Sequence, residues 1–141
     1  MISNELLFLI NLNKLQSVIA RRFDSLGAHG LGLNDFVILY ILNSSSQSKM
    51  RRIDLAEKTG LTASGVTRLL NPLEKIGLVT RETNERDARV SYVVITANGK
   101  KIFEETKQSA EHITKEILST KKSKSLKTVN EFLFDLGGNI Q

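Results

Sequence analysis

Apolar positions along this chain recur at helical spacing, interrupted by two short runs of β-branched residues. Phe8, Leu12, Leu15, Ile19, Phe23 and Leu26 step by four, three, four, four and three, which predicts a helix from Asn4 to about Leu26. Leu6, Leu7, Leu9 and Ile10 add apolar surface around the rest of its first turns. A helix apolar nearly all round either threads a core or packs on a second chain, and in a chain this small the second chain is the better reading. Gly27 to Gly32 is a glycine-rich break. Asn34 is the expected N-cap of a helix through about Leu42, with Phe36, Val37, Tyr40 and Ile41 as its buried side. A polar loop, Asn43 to Ser48, then leads into the basic stretch Lys49-Met50-Arg51-Arg52.

Ile53 to Thr59 reads as a short helix closed by Gly60, where a left-handed cap costs least. Thr62 can cap the next helix, in the stretch Leu61 to Ile76. Here Val66, Leu69, Leu70, Leu73 and Ile76 form one stripe, while Ser64, Thr67, Arg68, Asn71 and Lys75 gather opposite. That polar face holds no acid. Pro72 lacks the N–H owed to the Arg68 carbonyl, and Asn71 before it is pushed from helical torsions, so a kink is expected there. The outward part is then about Ala63 to Asn71. Gly77 stops the helix. Leu78 to Arg81 and Val90 to Ile95 read as two strands around the polar loop Glu82 to Arg89. Thr96 caps a long helix to about Thr120, with Ile102, Thr106, Ile113 and Ile117 inward. After a polar linker, Lys121 to Ser125, a last helix carries Leu126, Val129, Leu133 and Leu136 until Gly137-Gly138.

Charge changes this picture. The net charge is +5 over 141 residues. Residues 1–48 carry three cations and three acids, and residues 102–141 carry six of each. Residues 49–101 carry eleven cations against six acids, so the entire surplus surrounds the helix with the acid-free face. No run approaches the roughly 18 apolar residues of a membrane span. The absence of cysteine excludes disulfides, thiolate zinc and thiol redox sensing, and a cytoplasmic address is the simplest. His29 and His112 are the only histidines, which leaves no metal-ligand cluster and no cofactor motif in view.

A short helix, a turn containing Gly60 and a polar-faced helix form helix-turn-helix grammar. A hairpin follows with Arg86 and Arg89 near its tip, which makes the unit a winged helix. Short hydroxyl and amide groups beside cations suit base edges and phosphates, and a wing arginine suits a narrow minor groove. The expected fold is mainly α: an N-terminal dimerisation helix over residues 1–32, a winged helix-turn-helix over 33–97, and C-terminal dimerisation helices over 98–141. The candidate DNA contacts are Thr62, Ser64, Thr67, Arg68 and Asn71 from the helix, with Arg86 and Arg89 from the wing. Arg68 has a second reading, an internal ion pair with Asp87 or Glu82. Lys75, beyond the proline, reads as solvated.

The sequence resembles the MarR family of bacterial transcription regulators over nearly its full length. The resemblance rests on Leu55-Ala56-Glu57, Gly60-Leu61-Thr62, Ser64, Val66-Thr67-Arg68-Leu69, Leu73-Glu74-Lys75 and Gly77-Leu78-Val79. Asp87-Ala88-Arg89 in the wing and the exit Ile95-Thr96, followed by Gly99, join it. It implies a homodimer built by the terminal helices that binds pseudo-palindromic double-stranded DNA, usually as a repressor. It also implies release by a small aromatic or anionic effector, whose binding residues it does not identify. By position, Ser64, Thr67 and Arg68 match the family's helix contacts, Arg89 its wing arginine, and Asp87 the acid that positions the wing through an arginine. Pro72 departs from the pattern.

Two other classes compete. A winged helix that serves only as a protein-interaction module would show acids or apolar residues on the exposed helix face and no basic wing. An enzyme would need a nucleophile elbow, a phosphate-binding glycine loop, a histidine-centred triad or a ligand cluster, and none occurs.

Overall fold

The computed structural model describes all residues except Ser25, Ala88, 119–123 and Gln141, and the side chain of Ala28 is also left undescribed. Among the described residues six α-helices and three short strands follow one another as α1 (Asn4–Arg22), α2 (Leu33–Ser44), β1 (Lys49–Arg51), α3 (Arg52–Thr59), α4 (Ala63–Lys75), β2 (Val79–Thr83), β3 (Ser91–Ile95), α5 (Ala97–Ile117) and α6 (Leu126–Asp135). The expected polar linker, Lys121 to Ser125, falls mostly outside the described residues. The strands form one antiparallel sheet in the order β1-β3-β2. Val79 pairs with Ile95 and Thr83 with Ser91, so β2 and β3 are the two arms of the wing. Met50 pairs with Val93 on the other edge of β3.

The core lies where α2, α3, α4, the sheet and α5 converge. Leu26, Ile38, Leu39, Leu42, Leu55 and Val66 are fully buried in it, with Leu70, Leu73, Val93 and Phe103 close behind. Thr106 is buried among them, and its hydroxyl is satisfied by the Ile102 carbonyl at 2.8 Å. Gly99 lets α5 start flush against the wing. A Cβ there would intrude on the Leu78 carbonyl oxygen and lie 2.7 Å from Ile95 Cγ1. The Thr96 hydroxyl accepts the Gly99 N–H at 2.9 Å, which caps α5 as its sequence predicts.

Several expectations are corrected. α1 stops at Arg22, not Leu26, because Leu26 turns inward and its N–H meets the Leu31 carbonyl at 2.7 Å. This bridge closes the glycine-rich break into a single 3-10 turn at Gly27–His29. The N-cap of α2 is Gly32, whose N–H is accepted by Asp35 Oδ2 at 3.0 Å, and Asn34 lies inside the helix. Its buried side is Ile38, Leu39, Ile41 and Leu42, whereas Phe36, Val37 and Tyr40 are half-buried. Phe36 stacks on Phe103 at 5.2 Å. Lys49 to Arg51, for which only a basic stretch was expected, is a strand held by pairing with β3. α4 continues through Pro72 to Lys75, so the helix does not end at the proline, as expected. Ile76, the last residue of the expected stripe, is 56% exposed because it caps the helix.

α1 buries none of its residues in this chain. Leu9 and Leu15 are 56% and 48% exposed, and Phe132 and Phe134 on α6 are equally open. Phe8 meets Phe132 edge to face at 5.6 Å, so the two terminal helices merge into one apolar surface.

Candidate nucleic-acid interface

Helix α4 sits on the core through Val66, Leu70 and Leu73, which fixes its rotation. Ser64, Arg68, Asn71 and Lys75 are consequently exposed on its other side, and Thr67 is half-buried at the edge. Thr62 is the N-cap: its hydroxyl accepts the Gly65 N–H at 3.0 Å and lies 3.2 Å from Ser64 Oγ. The two hydroxyls therefore stand together at the start of the helix, where the first N–H groups also point outward. Gly60, with φ of 70°, supplies the left-handed turn that swings α3 into α4.

Arg68 is exposed and makes no ion pair or hydrogen bond among the described residues. The internal pairs considered for it do not form, because Glu82 takes Lys49 at 2.7 Å and Asp87 takes Arg89 at 3.1 Å. The Asp87–Arg89 fork is two-pronged, with Arg89 Nη2 on Oδ2 at 3.2 Å. It holds the Asp87 carboxyl below the ordinary carboxylate range, first through the Arg89 side chain and then through its backbone N–H. Arg89 is nonetheless 90% exposed, so one face of its guanidinium is open. Asn84 Oδ1 accepts the Arg86 N–H at 2.8 Å, which shapes the wing tip and leaves the Arg86 side chain in solvent.

Two arginines escaped the sequence reading. Arg52, the first residue of α3, donates from Nη1 to Thr67 Oγ1 at 2.9 Å, and its Nε is buried without a partner among the described residues. Thr67 thus braces α4 against α3 while keeping its hydroxyl proton to donate. Arg81 on β2 donates to Glu74 Oε2 at 3.0 Å and to Asn71 Oδ1 at 3.4 Å. The available signal for Arg81 was an opposite charge seven residues away across the Gly77 turn. For Arg52 the sequence held no signal beyond its charge. Both arginines, with Arg51 and Arg89, line a groove of about 600 Å³ between the helix-turn-helix and the wing.

An outward polar helix braced on a second helix, beside an arginine-tipped hairpin, defines a winged helix-turn-helix of the DNA-binding class. Residues 31–91 match the model of the MarR family. The chain resembles that family of transcriptional regulators across its helix-turn-helix and wing, from α2 to the first residue of β3. It is 29% identical over 139 residues to the uncharacterized HTH-type transcriptional regulator YdgJ of Bacillus subtilis, a match covering 98% of this chain and 82% of that protein. Its fold superposes with a TM-score of 0.74 on Sco3205, a MarR family regulator of Streptomyces coelicolor solved in complex with DNA. That match is 20% identical and covers 96% of this chain and 89% of the other. CouR of Rhodococcus jostii RHA1, solved with p-coumaroyl-CoA, matches at 0.77 and 17% identity over 89% and 87% of the two chains. Among the described residues no helix is long and apolar enough to cross a membrane.

Proposed function

We propose that this protein is a cytoplasmic homodimer that binds a pseudo-palindromic DNA operator sequence-specifically and represses transcription from it. The observation that carries the reading is the outer face of α4, where Ser64, Arg68 and Asn71 are exposed without an acid among them, beside a 90% exposed Arg89. Ser64, Thr67, Arg68 and Asn71 face the major groove, with Thr62 positioning the helix start. Arg86 and Arg89 serve the wing, in the backbone or the adjacent minor groove, and Asp87 sets the direction of Arg89. The open apolar surface of α1 and α6 supports dimerisation, since a stable interface needs roughly 800 Å² of such surface from each partner.

An effector that releases DNA would have to bind the DNA-competent and DNA-incompetent spacings of the two α4 helices with different affinity. What supports a site for an aromatic anion is a cleft of about 540 Å³ whose lining includes Tyr40, Met50 and Tyr92 with the cations Lys49, Arg51 and Lys58, against one acid, Asp54, which pairs with Arg51.

Binding to duplexes selected in vitro from a random-sequence pool, measured across a range of salt, tests the proposal. The expected result is one recovered motif with two-fold symmetry and a steep linear fall of log affinity with log salt. Recovery of no motif above competitor DNA would return the chain to the protein-interaction reading.

A further inference from the structure

Two features of α4 belong together although the winged-helix pattern requires neither. Pro72 lies inside the helix. It leaves the Arg68 carbonyl without its partner one turn on, and it disfavours helical torsions at Asn71. The weakened turn is the one that carries Arg68 and Asn71 outward. Yet α4 runs through it to Lys75.

The second feature is Arg81, which belongs to the wing strand. Its Nη2 donates to Asn71 Oδ1 at 3.4 Å, and its Nε donates to Glu74 Oε2 at 3.0 Å. Asn71 precedes the proline and Glu74 follows it, so a single planar guanidinium holds the residues on both flanks of Pro72. The rest of the circuit is closed by backbone. The Ile76 N–H reaches the Pro72 carbonyl at 3.1 Å, and the Leu78 N–H reaches the Leu73 carbonyl at 2.9 Å. Helix, turn, strand and guanidinium therefore form one ring around Gly77.

We propose that Arg81 is a positioning residue that splints α4 across Pro72 and, through the same side chain, fixes the wing relative to that helix. This rests on the DNA-binding reading above. A guanidinium suits the task because its rigid fork serves two acceptors at once, which a lysine ammonium on a flexible stem does not reproduce.

Glu74→Ala separates the splint from simple electrostatics by sign. Removing an acid near a polyanion tightens binding on charge alone. The splint predicts the reverse: about 3- to 10-fold weaker binding to a duplex selected with the wild-type protein, the scale of one exposed pair lost in each of two subunits. Arg81→Lys, which keeps the charge, is expected to show a similar loss. Pro72→Ala restores the missing N–H, and in that background Glu74→Ala should lose clearly less, because only the hold on the wing is then removed. Hydrogen exchange of the Leu73 to Ile76 amides in DNA-free protein gives an independent reading. Their protection should fall in Glu74→Ala and recover in the double variant. Binding by Glu74→Ala at or above the wild-type level with unchanged protection would overturn the splint, as would an equal loss in the Pro72→Ala background. Wild-type protein that binds no duplex would count against the DNA-binding reading, and the exchange data would still decide the splint.

Discussion

Replacing Arg68 with alanine isolates the contribution of the helix face to DNA recognition. The side chain is exposed and has no partner among the described residues, so its removal orphans nothing in the free protein. Folding stability should therefore change by no more than about 0.5 kcal/mol. In the complex, a bidentate contact from arginine to guanine contributes about 1–3 kcal/mol. A symmetric dimer makes that contact twice, which gives about 2–6 kcal/mol, or about 30-fold and upward in affinity. If Arg68 instead touches phosphate, Arg68→Lys restores most of the loss, and Arg68→Ala lowers the salt slope by about 0.9 per contact. Fluorescence anisotropy on a selected duplex at several salt concentrations, with urea unfolding of the same variants, separates these outcomes. An alanine variant with wild-type affinity, slope and stability would remove Arg68 from the interface and refute the orientation assigned to α4.

Other expectations follow from single contacts. Gly99→Ala places a methyl against the Leu78 carbonyl, which already accepts the Thr96 N–H at 3.0 Å and has little freedom to retreat. We expect a loss of about 3 kcal/mol in urea unfolding, at the upper end of the cost of overpacking, and a loss under about 1 kcal/mol would contradict the close approach. The Asp87 carboxyl titrates below its ordinary range because Arg89 favours the charged form. A depressed value makes the wing pairing complete above the unfolded value near ~3.9 and loses it only as pH falls through the lower folded one. The Asp87 carboxyl carbon shift should accordingly stay flat from about pH 8 to 5, and an inflection inside that window would contradict the pairing. Leu9→Asp changes a side chain that is 56% exposed in one chain, so the chain's own fold should survive. Sedimentation should nevertheless report monomers in place of dimers, and an unchanged dimer would place the subunit interface elsewhere.

The elements easiest to read were those whose neighbours all sit on one side. In α4 the buried Val66, Leu70 and Leu73 alternate with exposed Ser64, Arg68 and Asn71, so spacing alone set its phase. α2 offered no such contrast. Phe36 to Leu42 is apolar at every position, and only packing against Phe103 and the sheet decides that Ile38 and Leu39 face inward. β1 was hidden for a different reason. Lys49, Met50 and Arg51 have little intrinsic strand preference, and they become a strand because Tyr92 to Val94 offers an unpaired edge more than 40 residues later in sequence. Pro72 marked the weak point of α4 from its missing N–H, but local rules cannot see Arg81 reaching back from the wing to Asn71 and Glu74. The same blindness applied to Thr67: its place on the polar face was readable, but its bond to Arg52 was not. Local pattern thus set which face of α4 turns outward, and non-local hydrogen bonds set the posture of side chains such as Thr67 and Asn71.

The central claim is that two copies of α4 enter successive major grooves on one face of a duplex. Hydroxyl-radical footprinting of the selected operator at nucleotide resolution tests it most directly. Two protected half-sites about 34 Å apart, one helical turn, with flanking minor-groove protection that disappears in Arg89→Ala, are the expected result. A single unsymmetrical patch, or uniform weak protection along the whole duplex, would contradict it.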